Sequence, residues 1–234
     1  MASMTTLEQR AARHAALGDP IRLALVEALG CCDRSPAELG DRLGLGSNLL
    51  AHHLDVLESA GLIERTRSTA DGRRRYVHLQ SEALEGLIDV RIAPTTSALF
   101  ICSANSARSQ LAEALWRSMS GGDCCSAGTE PADRVHPGAI DAGRRIGLDL
   151  SGAEPRQLRD LDIQPDLVVT VCDRAHERLE IGEDWLHWSI PDPAEDGTPE
   201  AFDAVVAELT RRIGSVLTTP GHHTPTATTI EVPR

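Results

Sequence analysis

The chain contains no lysine: all 23 of its basic residues are arginine. Any catalytic or anion-binding role for a lysine amine is therefore excluded, a Walker-type nucleotide site included, and every charged contact to an anion falls to a guanidinium fork. Aromatic residues are scarce, at 3% with one tyrosine and two phenylalanines, so an aromatic wall for a ring-bearing substrate is poorly supplied. No run approaches the roughly 18 consecutive apolar residues of a membrane span. The opening stretch from Met1 to Arg10 has no apolar core of the signal-peptide kind. A cytoplasmic protein with no membrane association is the expectation. In that compartment the cysteines Cys31, Cys32, Cys102, Cys124, Cys125 and Cys172 point to chemistry or metal binding rather than to structural disulfides.

What is present is ordinary in bulk, 41% hydrophobic and 25% charged over 234 residues, enough for one or two domains. The net charge of −12 is uneven, because residues 1–95 carry 13 acids against 11 arginines whereas residues 96–234 carry 22 against 12. This reads as two units of different purpose. The expected boundaries are a first unit at 1–91, a linker at 92–97, a second unit at 98–217 and a disordered Thr/Pro-rich tail at 218–234. The pair His222-His223 in that tail is at most a weak metal contact.

In the first unit, Asp19-Pro20 places a capping side chain before a proline at a first helical position, and Ile21, Leu25 and Leu29 follow at intervals of four. Ser35-Pro36-Ala37-Glu38 is a capping box opening a short helix to about Leu43. Gly44-Leu45-Gly46 breaks the chain, and Ser47 is expected to cap a helix with an inward stripe of Leu50, Leu54 and Leu57. Two helices across so tight a turn suggest helix-turn-helix. Strand-like runs Leu62 to Arg67 and Arg73 to Leu79 then flank Asp71-Gly72, a hairpin dipeptide. The outline is an α+β winged helix.

Arg65, Arg67, Arg73, Arg74 and Arg75 fall on or beside this wing. Clustered guanidinium groups gain affinity for a phosphate backbone by counterion release, so a nearly neutral domain can bind double-stranded DNA through one charged edge. The positions expected to reach base edges or phosphates are Ser47, Asn48, Ala51 and His52. A winged helix used for protein contact, with the arginines as a solvated hairpin, is the plain alternative.

In the second unit, strand-like runs Ala98–Ile101, Cys124–Ala127, Leu167–Val171 and Trp185–Ile190 alternate with amphipathic segments. The last is capped by Thr198-Pro199 and carries Phe202, Val205, Val206, Leu209, Ile213 and Val216 inward. Such alternation argues for an α/β domain with a small, about four-stranded parallel sheet. The chemistry sits where the first strand ends, in Cys102-Ser103-Ala104-Asn105-Ser106-Ala107-Arg108-Ser109. A loop wrapping from a strand into a helix amino terminus points backbone N–H groups inward, a bowl for a tetrahedral oxyanion. Arg108 returns a planar fork to the same anion. Those donors favour a thiolate at Cys102, and Ser109 is placed to donate to it. Leu111, Leu115 and Met119 are expected to bury and anchor the loop. Asp192-Pro193, after the fourth strand, offers a general acid for the leaving oxygen. Cys124 and Cys125 read as core.

Two resemblances follow from these residues. Leu7–Leu79, especially the run from Ser47 to Ile63, resembles the ArsR-type bacterial repressors, which implies a dimeric winged helix released from operator DNA by metal or arsenite. That family's Cys-x-Cys arsenite pair lies on the helix preceding the recognition helix. Here Cys31 and Cys32 are adjacent and lie before the capping box, so an arsenite site would need a further ligand from the second unit, the other subunit or a small thiol. The alternative is a pair of thiols with no ligand.

Ala98–Leu217 resembles the low-molecular-weight phosphatases and, within them, the arsenate reductases. The resemblance implies Cys102 as nucleophile, Arg108 and the loop amides as oxyanion binders, Asn105 as loop organiser and Asp192 as acid. In thioredoxin-coupled reductases a second cysteine attacks the adduct and a third, seven positions on, resolves the disulfide. Cys172 matches the second, but Leu179 stands at the third. Either a Cys102–Cys172 disulfide is opened by an external reductase, or a thiol of the mycothiol or glutathione type attacks the adduct directly. No tightly bound cofactor is expected. Three functions remain open at this point: a repressor fused to a thiol-dependent arsenate reductase, a regulator whose second unit only senses an oxyanion, and a phosphatase with a DNA-binding domain.

Overall fold

Asp19 accepts hydrogen bonds from the backbone N–H groups of Ile21 (2.9 Å) and Arg22 (3.1 Å), and this cap starts the second helix of the chain. The computed structural model describes residues 7–84, 97–182 and 184–218. They fall into two compact units, residues 1–68 with 72–90 and residues 69–71 with 91–234. In the first, α1 (Leu7–Leu17), α2 (Pro20–Leu29), α3 (Pro36–Leu43) and α4 (Ser47–Ser59) precede a hairpin of β1 (Ile63–Arg67) and β2 (Arg75–Leu79). The capping box is formed, with the Ser35 side chain and the Glu38 carboxylate each closing on the other's backbone. Gly44 ends α3 at φ 64°, and the N–H of Leu45 returns to the carbonyl of Gly40 at 2.9 Å, which makes the tight turn. The core is the expected leucine stripe, Leu25, Leu29, Leu50, Leu54 and Leu57, closed by Leu62, Val77 and Leu79.

Two local expectations need correction. Gly46, not Ser47, occupies the cap of α4, with no side-chain cap bond, and Ser47 is its first helical residue. Asp71-Gly72 does not form a two-residue turn. The strands pair antiparallel only from Ile63↔Leu79 to Arg67↔Arg75, the N–H of Ser68 closes on the carbonyl of Arg74 at 3.1 Å, and neither residue of the dipeptide has the positive φ that the tight turn requires.

The second unit contains β3 (Ser97–Cys102), α5 (Arg108–Ser120), β4 (Asp123–Gly128), α6 (Pro137–Arg145), β5 (Leu167–Thr170), α7 (Asp173–Arg178), β6 (Leu186–His187), α8 (Pro193–Asp196) and α9 (Pro199–Thr218). The sheet is fully parallel, in the order β4-β3-β5-β6, which is the expected fold class. The central strand β3 is flanked on both sides, and its Leu99, Phe100 and Ile101 are fully buried, as a parallel strand covered on both faces demands. The sixth strand is only two residues long, far short of Trp185–Ile190.

All six predicted apolar residues of α9 are buried. On α5, Leu111 and Leu115 are buried as expected, but Met119 is exposed and Trp116 lies inside, edge-on to Phe100 at 5.9 Å. Cys124 and Cys125 are half-buried on the edge strand β4 rather than core. Adjacent strand residues face opposite sides of a sheet, so these two thiols do not converge. All of the expected linker 92–97 except Ser97, and all of the expected tail 218–234 except Thr218, lie outside the described residues, His222-His223 included.

Candidate active site

The carboxyl ends of parallel strands gather loops at one edge of the sheet, the usual place for a ligand in such folds, and Cys102 is the last residue of β3. Residues 103–107 turn from it into α5. Their conformation is set from outside the loop. The carbonyls of Cys102, Ser103, Ala104 and Ser106 accept from the backbone N–H groups of Thr129 (3.2 Å), Glu130 (2.9 Å), Ala132 (2.9 Å) and His136 (2.8 Å). The carbonyl of Asn105 accepts from Gln110 Nε2 at 3.1 Å. In a trans peptide the N–H opposes the C=O, so carbonyls drawn outward aim the following amides into the bowl. Gly128 makes this possible. A Cβ there would stand 2.6 Å from the carbonyl oxygen of Ser103 and 3.0 Å from the nitrogen of Asn105.

Asn105 is the one described non-glycine residue at positive φ, 47°. Its side chain is tied on every side. Oδ1 accepts from the backbone N–H of Arg156 at 2.7 Å, which fixes the orientation of the amide. Nδ2 then donates to Ser109 Oγ and Ser126 Oγ, both at 2.8 Å. Because Ser109 Oγ already accepts, its own proton is available to Cys102 Sγ, 3.0 Å away. The backbone N–H of Asn105 donates to the same sulfur at 3.1 Å. Two donors thus converge on a buried sulfur at the amino terminus of a 13-residue helix.

Arg108 is 7% exposed. Its Nη1 donates to the carbonyl of Ile190 at 3.0 Å and its Nη2 to Asp192 Oδ2 at 2.5 Å. Asp192 in turn caps α8 by accepting from the N–H of Ala194 at 3.1 Å. The structure therefore joins the two ends of the predicted constellation, Cys102-to-Ser109 and Asp192, through Arg108. Cys172 arrives from the end of β5. Its sulfur lies 3.5 Å from Ser103 Oγ and accepts from the N–H of Ala175 at 3.4 Å. Burial pushes the Cys172 thiol up, the neighbouring Cys102 pushes it the same way, and Arg108 opposes both. Leu179 closes α7 and brings no third thiol. Burial likewise pushes the thiols of Cys124 and Cys125 up, and neither reaches the loop.

In the first unit, Ser47, Asn48, Ala51 and His52 are all exposed on α4, and Arg67, Arg73, Arg74 and Arg75 are exposed on the wing. Arg65 departs from expectation. Its guanidinium lies on Asp55 at 2.7 Å and on Glu58, both on α4, so its charge is balanced within the domain. Cys31 is half-buried and Cys32 buried, and burial pushes the Cys31 thiol up against the pull of Arg34 and Arg42. Among the described residues no three or more His, Cys, Asp or Glu side chains cluster as a metal site.

Sequence reasoning missed the layer behind the loop: Gln110, Glu113, Ser126, Gly128 and Arg156. The available signal was Gln110 and Glu113, two polar residues three apart on the face of α5 that should have been apolar.

A strand-end cysteine ringed by inward amides, with an arginine and a carboxylate closing the ring, defines a cysteine-based oxyanion site on an α/β sheet, carried behind a winged helix-turn-helix unit. Comparison with known proteins agrees with both halves. Residues 97–223 match the model of the low molecular weight phosphotyrosine protein phosphatase family, and residues 17–66 match a helix-turn-helix domain model. Over 121 residues the chain is 40% identical to arsenate reductase 1 of Staphylococcus haemolyticus, a match covering 49% of this chain and 89% of that protein. It is 35% identical over 127 residues to the arsenate reductase of Halalkalibacterium halodurans, covering 51% and 91%. The crystal structure of arsenate reductase from Archaeoglobus fulgidus aligns with 31% identity over 51% of this chain and 98% of that one, at a TM-score of 0.45. The chain belongs to the low molecular weight phosphotyrosine protein phosphatase family, joined to a helix-turn-helix domain.

Proposed function

We propose that this is a bifunctional arsenic-resistance protein, in which residues 1–91 form a repressor of ArsR type and residues 98–217 a thiol-dependent arsenate reductase. The observation that carries the reading is the pair of donors on Cys102 Sγ inside an amide bowl, with a second buried thiol, Cys172, beside the same loop. The kinship with arsenate reductases supports it.

Arsenate enters the bowl and Arg108 exchanges its Asp192 contact for two oxygens of the anion. The Cys102 thiolate attacks arsenic, an As–O bond breaks, and Asp192 gives the departing oxygen its proton so that water leaves. Cys172 gives up its proton to solvent and, as thiolate, then attacks the Cys102 sulfur. The S–As electron pair stays on arsenic, arsenite departs, and the two sulfurs are joined as a disulfide. An external reductant of thioredoxin, glutathione or mycothiol type reopens it, because Leu179 leaves the relay without its third thiol. Ser103, Ala104, Ser106 and Ala107 contribute backbone donors, and Asn105 and Ser109 order the loop.

In the same reading the first unit binds operator DNA as a homodimer. Arg67, Arg73, Arg74 and Arg75 meet phosphates, and Ser47, Asn48, Ala51 and His52 face the groove. Arsenite made by the second unit is the inducer, held by Cys31 and Cys32 with a third ligand from the partner subunit or a small thiol.

The test is arsenite production from arsenate by the whole chain with thioredoxin, glutaredoxin-type and mycothiol-type systems in turn. Turnover with at least one, abolished by Cys102→Ser, is expected. Arsenate-independent hydrolysis of an aryl phosphate, lost in Asp192→Ala, with no arsenite from any system, would mark a phosphatase instead. For the first unit, operator affinity should fall on adding arsenite, and unchanged affinity would remove the inducer role.

A further inference from the structure

The buried carboxylate of Glu113 takes no part in the chemistry above, yet it terminates a chain of hydrogen bonds that ends on Cys102. Its Oε2 accepts from Ser126 Oγ at 2.7 Å. Ser126 Oγ accepts from Asn105 Nδ2, which also serves Ser109 Oγ, and Ser109 reaches the nucleophilic sulfur. Arg156 closes this chain into a ring. Its backbone N–H holds Asn105 Oδ1 at 2.7 Å, while its guanidinium Nη2 holds Glu113 Oε2 at 2.5 Å. One residue thus grips both ends of the Asn105 amide, directly through its main chain and indirectly through Glu113 and Ser126. We propose that Arg156 is a positioning residue for Cys102, keeping the protons of this ring ordered so that Ser109 always donates to the sulfur.

A carboxylate accepts only, so Ser126 must donate to Glu113 and must turn a lone pair to Asn105. The Arg156 guanidinium pins Oε2, and without it the carboxylate is free to turn about its Cγ–Cδ bond toward Arg117. Ser126 then loses its fixed acceptor, and its lone pair is no longer committed to Asn105. The Asn105 amide loses a partner, its left-handed backbone at φ 47° loses one of its restraints, and the Ser109 proton is less firmly committed to Cys102. Arg117 does not substitute, since it lies on the other carboxylate oxygen, Oε1, at 2.7 Å, and its side chain is 57% exposed. Arg156 lies 48 positions after Arg108 and outside the Cys-to-Ser loop motif.

The proposal rests on Cys102 being the nucleophile, so the experiment reads the thiol rather than arsenate turnover. Alkylation of Cys102 by iodoacetamide is followed by mass spectrometry at pH 6 and pH 9 in the full-length protein, as wild type, Arg156→Met, Arg156→Lys and Ser126→Ala. In Arg156→Met the ratio of the pH 6 to the pH 9 rate should fall about three- to tenfold, the effect of weakening rather than removing one hydrogen bond to the sulfur. Arg156→Lys, which keeps the cation, should recover most of it. Ser126→Ala cuts the ring on its other side and should give the same loss, which keeps the test open should the methionine variant fail to fold. The double variant Arg156→Met/Ser126→Ala should be no worse than either single change, because both act through one path. An unchanged ratio in the single variants, whatever their melting temperatures, would overturn the proposal, and so would losses that multiply in the double variant. A wild-type Cys102 with no enhanced reactivity at pH 6 would overturn both this proposal and the reading beneath it; a reactive wild type with insensitive variants overturns this proposal alone.

Discussion

Gly128→Ala is the perturbation that most sharply separates a catalytic loop from an ordinary turn. Its new methyl would sit 2.6 Å from the Ser103 carbonyl oxygen, 3.0 Å from the Asn105 nitrogen and 3.1 Å from the Asn105 Cβ. Two of these are backbone atoms, which do not rotate away, so either β4 or the loop moves by several tenths of an ångström. Overpacking of this kind costs about 1–3 kcal/mol. Displacing positioned donors by about 1 Å costs roughly a hundredfold in rate, so a shift of part of that distance should lower turnover by about tenfold or more. The control is Gly121→Ala, at φ 66° with nothing within 4 Å of the added methyl. It pays a comparable backbone strain of about 1–2 kcal/mol and never touches the loop. Thermal melts and arsenite production measured side by side on both variants should show two destabilised proteins and one impaired enzyme. Gly128→Ala with turnover within twofold of wild type would refute the claim that outward-drawn carbonyls at this contact shape the bowl.

Other outcomes follow from the same structure. Among the wing arginines, Arg67→Ala, Arg73→Ala, Arg74→Ala and Arg75→Ala should each lower the slope of log affinity against log salt by about 1 where they meet a phosphate, whereas Arg65→Ala, already balanced by Asp55 and Glu58, should leave the slope unchanged. Asp19→Ala removes the α2 cap and should cost the first unit about 0.5–2 kcal/mol in denaturant unfolding. Glu208 is governed first by burial, which raises its carboxyl, but Arg211 and Arg212 overcome this and hold it below the ordinary value. A carboxyl depressed on folding contributes stability that is present at neutral pH and lost as pH falls through its folded value. Glu208→Gln should therefore lower the melting temperature at pH 7 and have a smaller effect at pH 3.

The parts legible in the sequence were those governed by local rules. Asp19, Ser35 with Glu38, and Gly44 announce helix ends because a cap is a contact between near neighbours in the chain. The alternation of apolar runs announced a parallel sheet, and the spacing from Cys102 to Arg108 after such a run announced the loop. What escaped depends on distance along the chain. Arg65 looked like one of five wing cations, and only the fold brings it onto Asp55 and Glu58. Met119 fits an inward stripe as well as Trp116 does, but Phe100 on β3 supplies the surface that takes the indole. Arg156 and Ser126 meet Asn105 from 51 and 21 positions away, and no spacing rule reaches that far. Asp71-Gly72 has the composition of a tight turn, but the strands stop pairing at Arg67 and Arg75 and leave it in a longer connection.

The central claim is that Cys102 and Cys172 together supply the two electrons that turn arsenate into arsenite. Its most direct measurement is a single turnover of the fully reduced chain with arsenate and no external thiol, counting arsenite released and mapping disulfides by mass spectrometry. The account predicts up to one arsenite per chain, matched by one Cys102–Cys172 disulfide, and none of either in Cys102→Ser. Arsenite released with both thiols still reduced, or a reduced chain that yields neither arsenite nor disulfide, would contradict it.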